Sequence, residues 1–214
     1  MCHAKLRIAA ATKELVASYD FDAITVSTIT QAAGLKRRQT FYDYFRDKYD
    51  VLEWIYRTEV TEVAPNCTSY VNWPSTLRRM LTYFFENRRF YATVLQIDER
   101  NAPEEIIEQH IAQMIGTIFS DLAATEHLRA DDEYCAFLQR MLSTALLQEI
   151  TAFLAQAQSE EPSTSQTATQ MRAQSQSLLI ETEVANIRRY IEDGINGLLL
   201  RTGRISEYLH SAEK

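Results

Sequence analysis

Apolar residues recur along most of this chain at steps of three and four, the spacing that lines one face of an α-helix. The first such stretch, residues 4–19, carries Ile8, Leu15, Val16 and Tyr19 among Lys5, Lys13 and Glu14, and its end falls near Asp20. A link with Phe21 and Ile24 leads to Thr25-Val26-Ser27, where a hydroxyl can cap a second helix that turns Ile29, Ala32 and Ala33 inward. Gly34 stops that helix, and Arg37 to Phe45 predicts a short third one. Asp47 is placed to cap a fourth, which runs through Val51, Leu52, Ile55 and Tyr56 towards a close at Pro65.

The pattern then repeats on a larger scale. Trp73-Pro74-Ser75 opens a helix with Leu77, Leu81, Phe84 and Phe85 on one face, and Phe90-Tyr91 continues in another before a break at Asn101-Ala102-Pro103. Residues 104–124 hold the clearest stripe, with Ile107, Ile111, Met114, Ile115, Ile118 and Leu122. Residues 131–156 and 178–200 carry wider stripes, the former through Tyr134, Phe137, Leu138, Met141, Leu142, Ala145, Leu146, Ile150 and Phe153. Between them, residues 156–177 are almost devoid of large apolar side chains and predict a mobile connector, because core burial cannot offset the entropy of ordering them. No repeat at a period of 20 to 50 residues is visible.

Composition narrows this to an all-α protein. Five Gly and four Pro in 214 residues leave little turn chemistry for a many-stranded sheet, while a hydrophobic content of 46% is enough to bury a core. Cys2, Cys67 and Cys135 are widely spaced and form no CxxC pair, so neither a disulfide framework nor a zinc knuckle is indicated and a reducing cytoplasm fits best. Lys5, Arg7, Lys13 and Glu14 interrupt any signal-peptide core, and no stretch reaches about 18 uncharged apolar residues, so the expected protein is cytoplasmic and independent of membranes.

Net charge is -7, and it is unevenly spread. Residues 1–48 hold eight basic against five acidic residues, whereas residues 49–214 hold fourteen against twenty-four. A small module of net +3 thus sits on a body of net -10. Such a module can still approach phosphates, because exposed charges interact over only about 8 to 10 Å at physiological salt.

The chemistry concentrates in TVSTITQAAGLKRRQTFYDYFRDK, residues 25–48. Two short helices joined through a glycine turn, the second opened by a basic cluster, form the layout of a helix-turn-helix. With Phe41 at the centre of the third helix's inner face, steps of 100° bring Phe45 beside it and turn Lys36, Gln39, Tyr42, Asp43 and Arg46 outward. Tyr44 lies about 60° from Phe41, where partial packing and phosphate contact are equally open to it. A long-armed polar face of this kind suits a major groove: Arg or Lys bonds guanine, Gln bonds adenine, and Thr, Tyr and Lys hold phosphates. Lys48, in the first turn of the fourth helix, stands where free backbone N–H groups also attract a phosphate.

Thr25, Val26, Ile29, Ala33, Gly34, Thr40, Phe41, Tyr42, Tyr44, Phe45, Lys48 and Val51-Leu52 follow one another as in the N-terminal signature of the TetR regulators, which this chain resembles over its first quarter. The resemblance implies an N-terminal three-helix DNA-binding domain, residues 1–48, and a C-terminal helical bundle for effector binding and dimerisation, residues 49–214. It also implies phosphate contact at Thr25, Thr40, Tyr42, Tyr44 and Lys48 and base reading around Arg38 and Gln39. One departure is that five residues, Leu35 to Gln39, separate the turn glycine from Thr40 where the family has four, and the capping serine is absent. Which of Lys36, Arg37 and Arg38 enters the groove therefore stays open, as does the role of Asp43 among phosphates. The run RRQTFYDYF, Trp54-Ile55-Tyr56 and Glu86 to Tyr91 further resemble a subgroup that includes regulators of dihydroxyacetone kinase operons.

No Ser/His/Asp order, nucleophile elbow, phosphate-cradling glycine loop or HExxH is present, so no enzyme is expected. His3, His110 and His127 share no ligand spacing with Cys67 or Cys135, which leaves neither metal nor cofactor in the expectation. Glu104, Glu105 and Glu108 complement a helix start without further chemistry. The expected function is a ligand-responsive, sequence-specific DNA-binding regulator, a repressor by its resemblance, acting as a homodimer on a palindromic operator in double-stranded DNA under a small-molecule or protein effector. Residues 131–156 and 178–200 of two subunits would pair into a four-helix bundle. The alternatives are a helical adaptor or ligand-binding protein that acts through protein contacts, and an activator with a protein co-regulator.

Overall fold

The computed structural model describes residues 3–63, 69–97, 103–125, 132–158 and 166–212, and no strand occurs among these described residues. The helices are α1 (His3–Val16), α2 (Val26–Ala32), α3 (Gln39–Tyr42), α4 (Lys48–Val63), α5 (Trp73–Glu86), α6 (Arg88–Val94), α7 (Glu104–Thr125), α8 (Asp132–Gln158) and α9 (Gln166–Ala212). Pro65 and Asn101-Ala102 lie outside the described residues.

Local chemistry sets most of the boundaries. Thr25 caps α2 reciprocally: its hydroxyl accepts from Thr28 N at 3.2 Å, and the Thr28 hydroxyl accepts from Thr25 N at 2.9 Å. At the other end Gly34 takes φ +61, Gly34 N bonds Gln31 O and Leu35 N bonds Thr30 O, a Schellman closure that a left-handed residue makes possible. The Arg7 guanidinium of α1 donates to Ala33 O beside this turn, placing a cation at the negative end of α2. Asp47 accepts from Tyr49 N and Asp50 N, each at 2.9 Å, and so begins α4 as expected.

Several sequence expectations need correction. α1 ends at Val16, three residues early, so helical phase no longer holds for Tyr19, which is 64% exposed. Ala32 points outward while Ile29 and Ala33 are buried. α3 contains only Gln39–Tyr42 as α-helix. Tighter bonds from Thr40 N to Arg37 O and from Tyr44 N to Phe41 O extend it as single turns. Arg38 at its start supplies no side-chain cap, which leaves the first turn without the support that Thr25 gives α2.

The connector expected over 156–177 is helical at both ends, with α8 reaching Gln158 and α9 starting at Gln166, while residues 159–165 lie outside the described residues. Residues 166–177 hold no Gly or Pro and several good helix formers. Extending a helix already anchored by its packed part adds one bond per residue without a new nucleus.

α1 packs on α2, α4 and α6; α7 packs on α8; α5 bears on α9 and α6 on α8. One contiguous core runs from Ile8 to Ile195, including Trp73, Phe84, Phe85, Phe90 and Tyr91. The stripe of α7 is buried as expected, with Phe119 added to it. The wide stripes of α8 and α9 are buried only in part: Phe137, Met141, Leu178 and Tyr190 stand exposed.

Candidate nucleic-acid interface

α3 is held from behind by aromatic packing. Phe41 and Phe45 are buried with ring centroids 5.9 Å apart, and Phe45 meets the Trp54 ring of α4 edge-on at 5.9 Å. The Lys5 ammonium of α1 lies 5.1 Å from the Phe45 ring and 4.9 Å from that of Trp54, so a cation clamps the aromatic pair to the first helix. Lys5 carried no local signal for this contact, because its partners are distant in sequence.

In front of these anchors Lys36, Arg37, Arg38, Gln39, Tyr42 and Asp43 are exposed, and Thr40 and Tyr44 are half-buried. The outward set is the one expected from helical phase, and Tyr44 takes the intermediate position its angle implied. The Arg38 guanidinium donates to the Tyr42 hydroxyl at 3.0 Å and lies 5.6 Å from its ring. Arg46 is also exposed and forms an ion pair of 3.6 Å with Asp50, whose carboxylate accepts from Arg46 N. The face presents cations, an amide, a hydroxyl and a phenol together, which is the mixture that duplex DNA takes at phosphates and base edges.

The other two candidates stand on neighbouring elements and already have partners. Thr25 is exposed at the start of α2 with its hydroxyl engaged in the cap. The Lys48 ammonium donates to Phe21 O at 2.8 Å and sits 4.0 Å from the Phe21 ring, binding the start of α4 to the link between α1 and α2. No group of three or more His, Cys, Asp or Glu side chains could hold a metal ion among the described residues. Nor is any described helix long and apolar enough to cross a membrane.

Residues 8–55 match the family model of bacterial regulatory proteins, tetR family, and residues 71–171 match that of the transcriptional regulator C-terminal region of TetR proteins. The chain is 38% identical over 92 residues to the HTH-type dhaKLM operon transcriptional activator DhaS of Lactococcus lactis subsp. lactis (strain IL1403). That match covers 43% of this chain and 49% of the relative, about half of its length. Among solved structures, a dihydroxyacetone kinase operon activator DhaS shares the fold with a TM-score of 0.60 at 24% identity, over 89% of this chain and 97% of that one. A putative fatty acid metabolism regulator of Clostridium perfringens does so with a TM-score of 0.55 at 16% identity, over 85% and 96%.

Proposed function

The chain belongs to the TetR family of DNA-binding transcriptional regulators and is not an enzyme, and from that premise we propose how it engages its operator. Residues 1–48 form the reading module and residues 49–214 the body that receives the signal. Arg38 and Gln39 read base edges, with Lys36 or Arg37 beside them. Thr40, Tyr42 and Tyr44 hold phosphates, while Thr25 and Lys48 touch the backbone with whatever donor capacity their internal bonds leave. The observation that carries this reading is the exposed cationic face of α3 backed by buried Phe41 and Phe45.

Two copies act together. Phe137 and Met141 on α8 and Leu178 and Tyr190 on α9 leave apolar area uncovered, beside an α8–α9 groove of about 280 Å³ lined by Leu146, Ile187 and Ile191. A second copy seated there by two-fold symmetry covers this surface and holds the two reading heads at a fixed separation. The operator is then roughly palindromic, with half-sites about one helical turn apart or a multiple of it. The likeness to the dhaKLM activator makes a dihydroxyacetone kinase operon the first target to examine. The protein acts in the cytoplasm, and an effector bound in the body shifts the separation of the heads.

Arg38→Ala with Gln39→Ala tests the reading face. Specific binding is expected to weaken by about 2 to 6 kcal/mol with helix content unchanged, since a good bidentate base contact contributes about 1 to 3 kcal/mol of discrimination. Wild-type affinity for its duplex should also fall steeply with salt. A folded double variant that still regulates normally would refute groove reading. Tyr190→Glu should convert the dimer to monomer by sedimentation and abolish operator binding. A reporter fused to the operator then distinguishes activation, as named for the Lactococcus relative, from the repression expected by resemblance.

A further inference from the structure

Lys13, Glu59 and Tyr83 belong to three helices and meet at one point. The Lys13 ammonium of α1 donates to Glu59 Oε2 of α4 at 2.6 Å and to Tyr83 Oη of α5 at 3.1 Å, and the Tyr83 hydroxyl donates to the same Glu59 oxygen. The cation also lies 5.4 Å from the Tyr83 ring and 5.8 Å from the Phe90 ring of α6. Among the described ion pairs, Lys13–Glu59 is the one that ties α1 to a residue beyond 48. Its side chains are 25% and 35% exposed, so water screens the pair only in part.

A closed cycle of this kind adds a directional constraint to the packing of α1 on α4. Hydrogen bonds weaken steeply once distance and angle leave a narrow range, so a small change of tilt costs the cycle more than it costs a non-directional contact. The cycle therefore sharpens the angle at which α1 meets α4 and α5.

We propose that Lys13, Glu59 and Tyr83 are positioning residues that set the tilt of the reading module on the body, and so decide which spacing between operator half-sites the dimer accepts. The proposal rests on the dimeric, operator-binding reading above. Lys5, which clamps α3, stands eight residues from Lys13 on the same helix, and eight residues of α-helix span about 12 Å. With that lever, a tilt of about 8° in each protomer changes the separation of the heads by about 3.4 Å, the rise of one base pair. An inserted pair also turns one half-site by about 34 to 36° relative to the other, so an angular slack that leaves each protomer folded blurs the spacing by following the shift in length while the duplex takes up part of the turn by its own twist.

The test uses full-length protein and the duplex that wild type selects from a genomic library, rebuilt with one base pair added to or removed from its centre. Wild type should lose about tenfold or more in affinity for either altered spacing. Tyr83→Phe and Glu59→Gln should bind the original duplex within about threefold of wild type and discriminate among the spacings by less than about threefold. Lys13→Arg, which keeps the charge, should keep the sharp profile. Dimeric, folded Tyr83→Phe and Glu59→Gln proteins with an undiminished spacing penalty would overturn the proposal while leaving the operator reading intact. A wild type that selects no duplex would overturn that reading, and the proposal with it.

Discussion

The ring of Tyr91 in α6 packs in the aromatic core with its centroid 4.5 Å from that of Phe84 and 5.0 Å from that of Phe90, and its buried hydroxyl oxygen meets no hydrogen-bond partner. Burial pushes its phenol well above the usual tyrosine value, with the Glu59 carboxylate adding to the effect. A buried hydroxyl without a partner costs about 1 to 3 kcal/mol, so Tyr91→Phe should stabilise the fold by about 1 kcal/mol in urea titration. A loss of that size would show that the hydroxyl is bonded in solution. Tyr56 presents the contrast: its hydroxyl meets His110 Nδ1 at 2.7 Å, joining α4 to α7, and burial lowers the His110 pKa so that the neutral ring is favoured. Both tyrosines were expected simply as core members, because periodicity reports that a side chain is inside and not what its polar atom finds there.

Among the elements, the α2–α3 junction turns on one residue. Gly34 at φ +61 closes α2, and a Cβ there would come within 2.6 Å of the Arg7 guanidinium. The arginine end can move aside, but it would then release Ala33 O, and the left-handed backbone itself costs a residue with a Cβ about 1 to 2 kcal/mol. Gly34→Ala is expected to lower stability by about 2 kcal/mol and to weaken operator binding, with Gly34→Asn intermediate; urea titration and duplex binding measure the two effects. The glycine and the Thr25 cap were legible because turn and cap chemistry is local. The length of α3 was not, since the inner-face phase of Phe41 and Phe45 is satisfied equally by a full helix and by one α-turn flanked by tighter turns.

For the whole molecule, the groove between α8 and α9 holds an unresolved charge conflict. Glu183 lines the groove together with Glu149, and one of its oxygens is buried without a hydrogen-bond partner; two carboxylates can bond each other only when one is protonated. Burial, then Glu149, raises the Glu183 pKa. A raised carboxyl value means that the folded state binds the proton more tightly than the unfolded chain. Its contribution is present at acid pH and is lost as pH climbs through the raised value. Glu183→Gln should therefore raise Tm at neutral pH, and the gain should vanish towards the ordinary carboxylate range. A pH series of thermal melts that shows a constant difference, or the reverse trend, would refute this account. In the dimer proposed above, the same carboxyls lie under the second copy, so the gain should also appear as tighter association in sedimentation.

By itself the sequence determined the helical class, the order of the helices and the outward orientation of the polar side chains around α3, because each follows from interactions within a few residues: spacing on one helix, a cap, a glycine closure. It also carried the family resemblance, which is a pattern of positions. Tertiary structure alone decided which of those side chains are already engaged. Lys48 is tied to Phe21 27 residues away, Arg7 to Ala33 26 away, and Lys13 to Glu59 46 and Tyr83 70 away. It likewise decided that residues 166–177 continue α9. Local spacing constrains neighbours along the chain, whereas a bond between distant residues depends on how whole helices pack, and no short window contains that information.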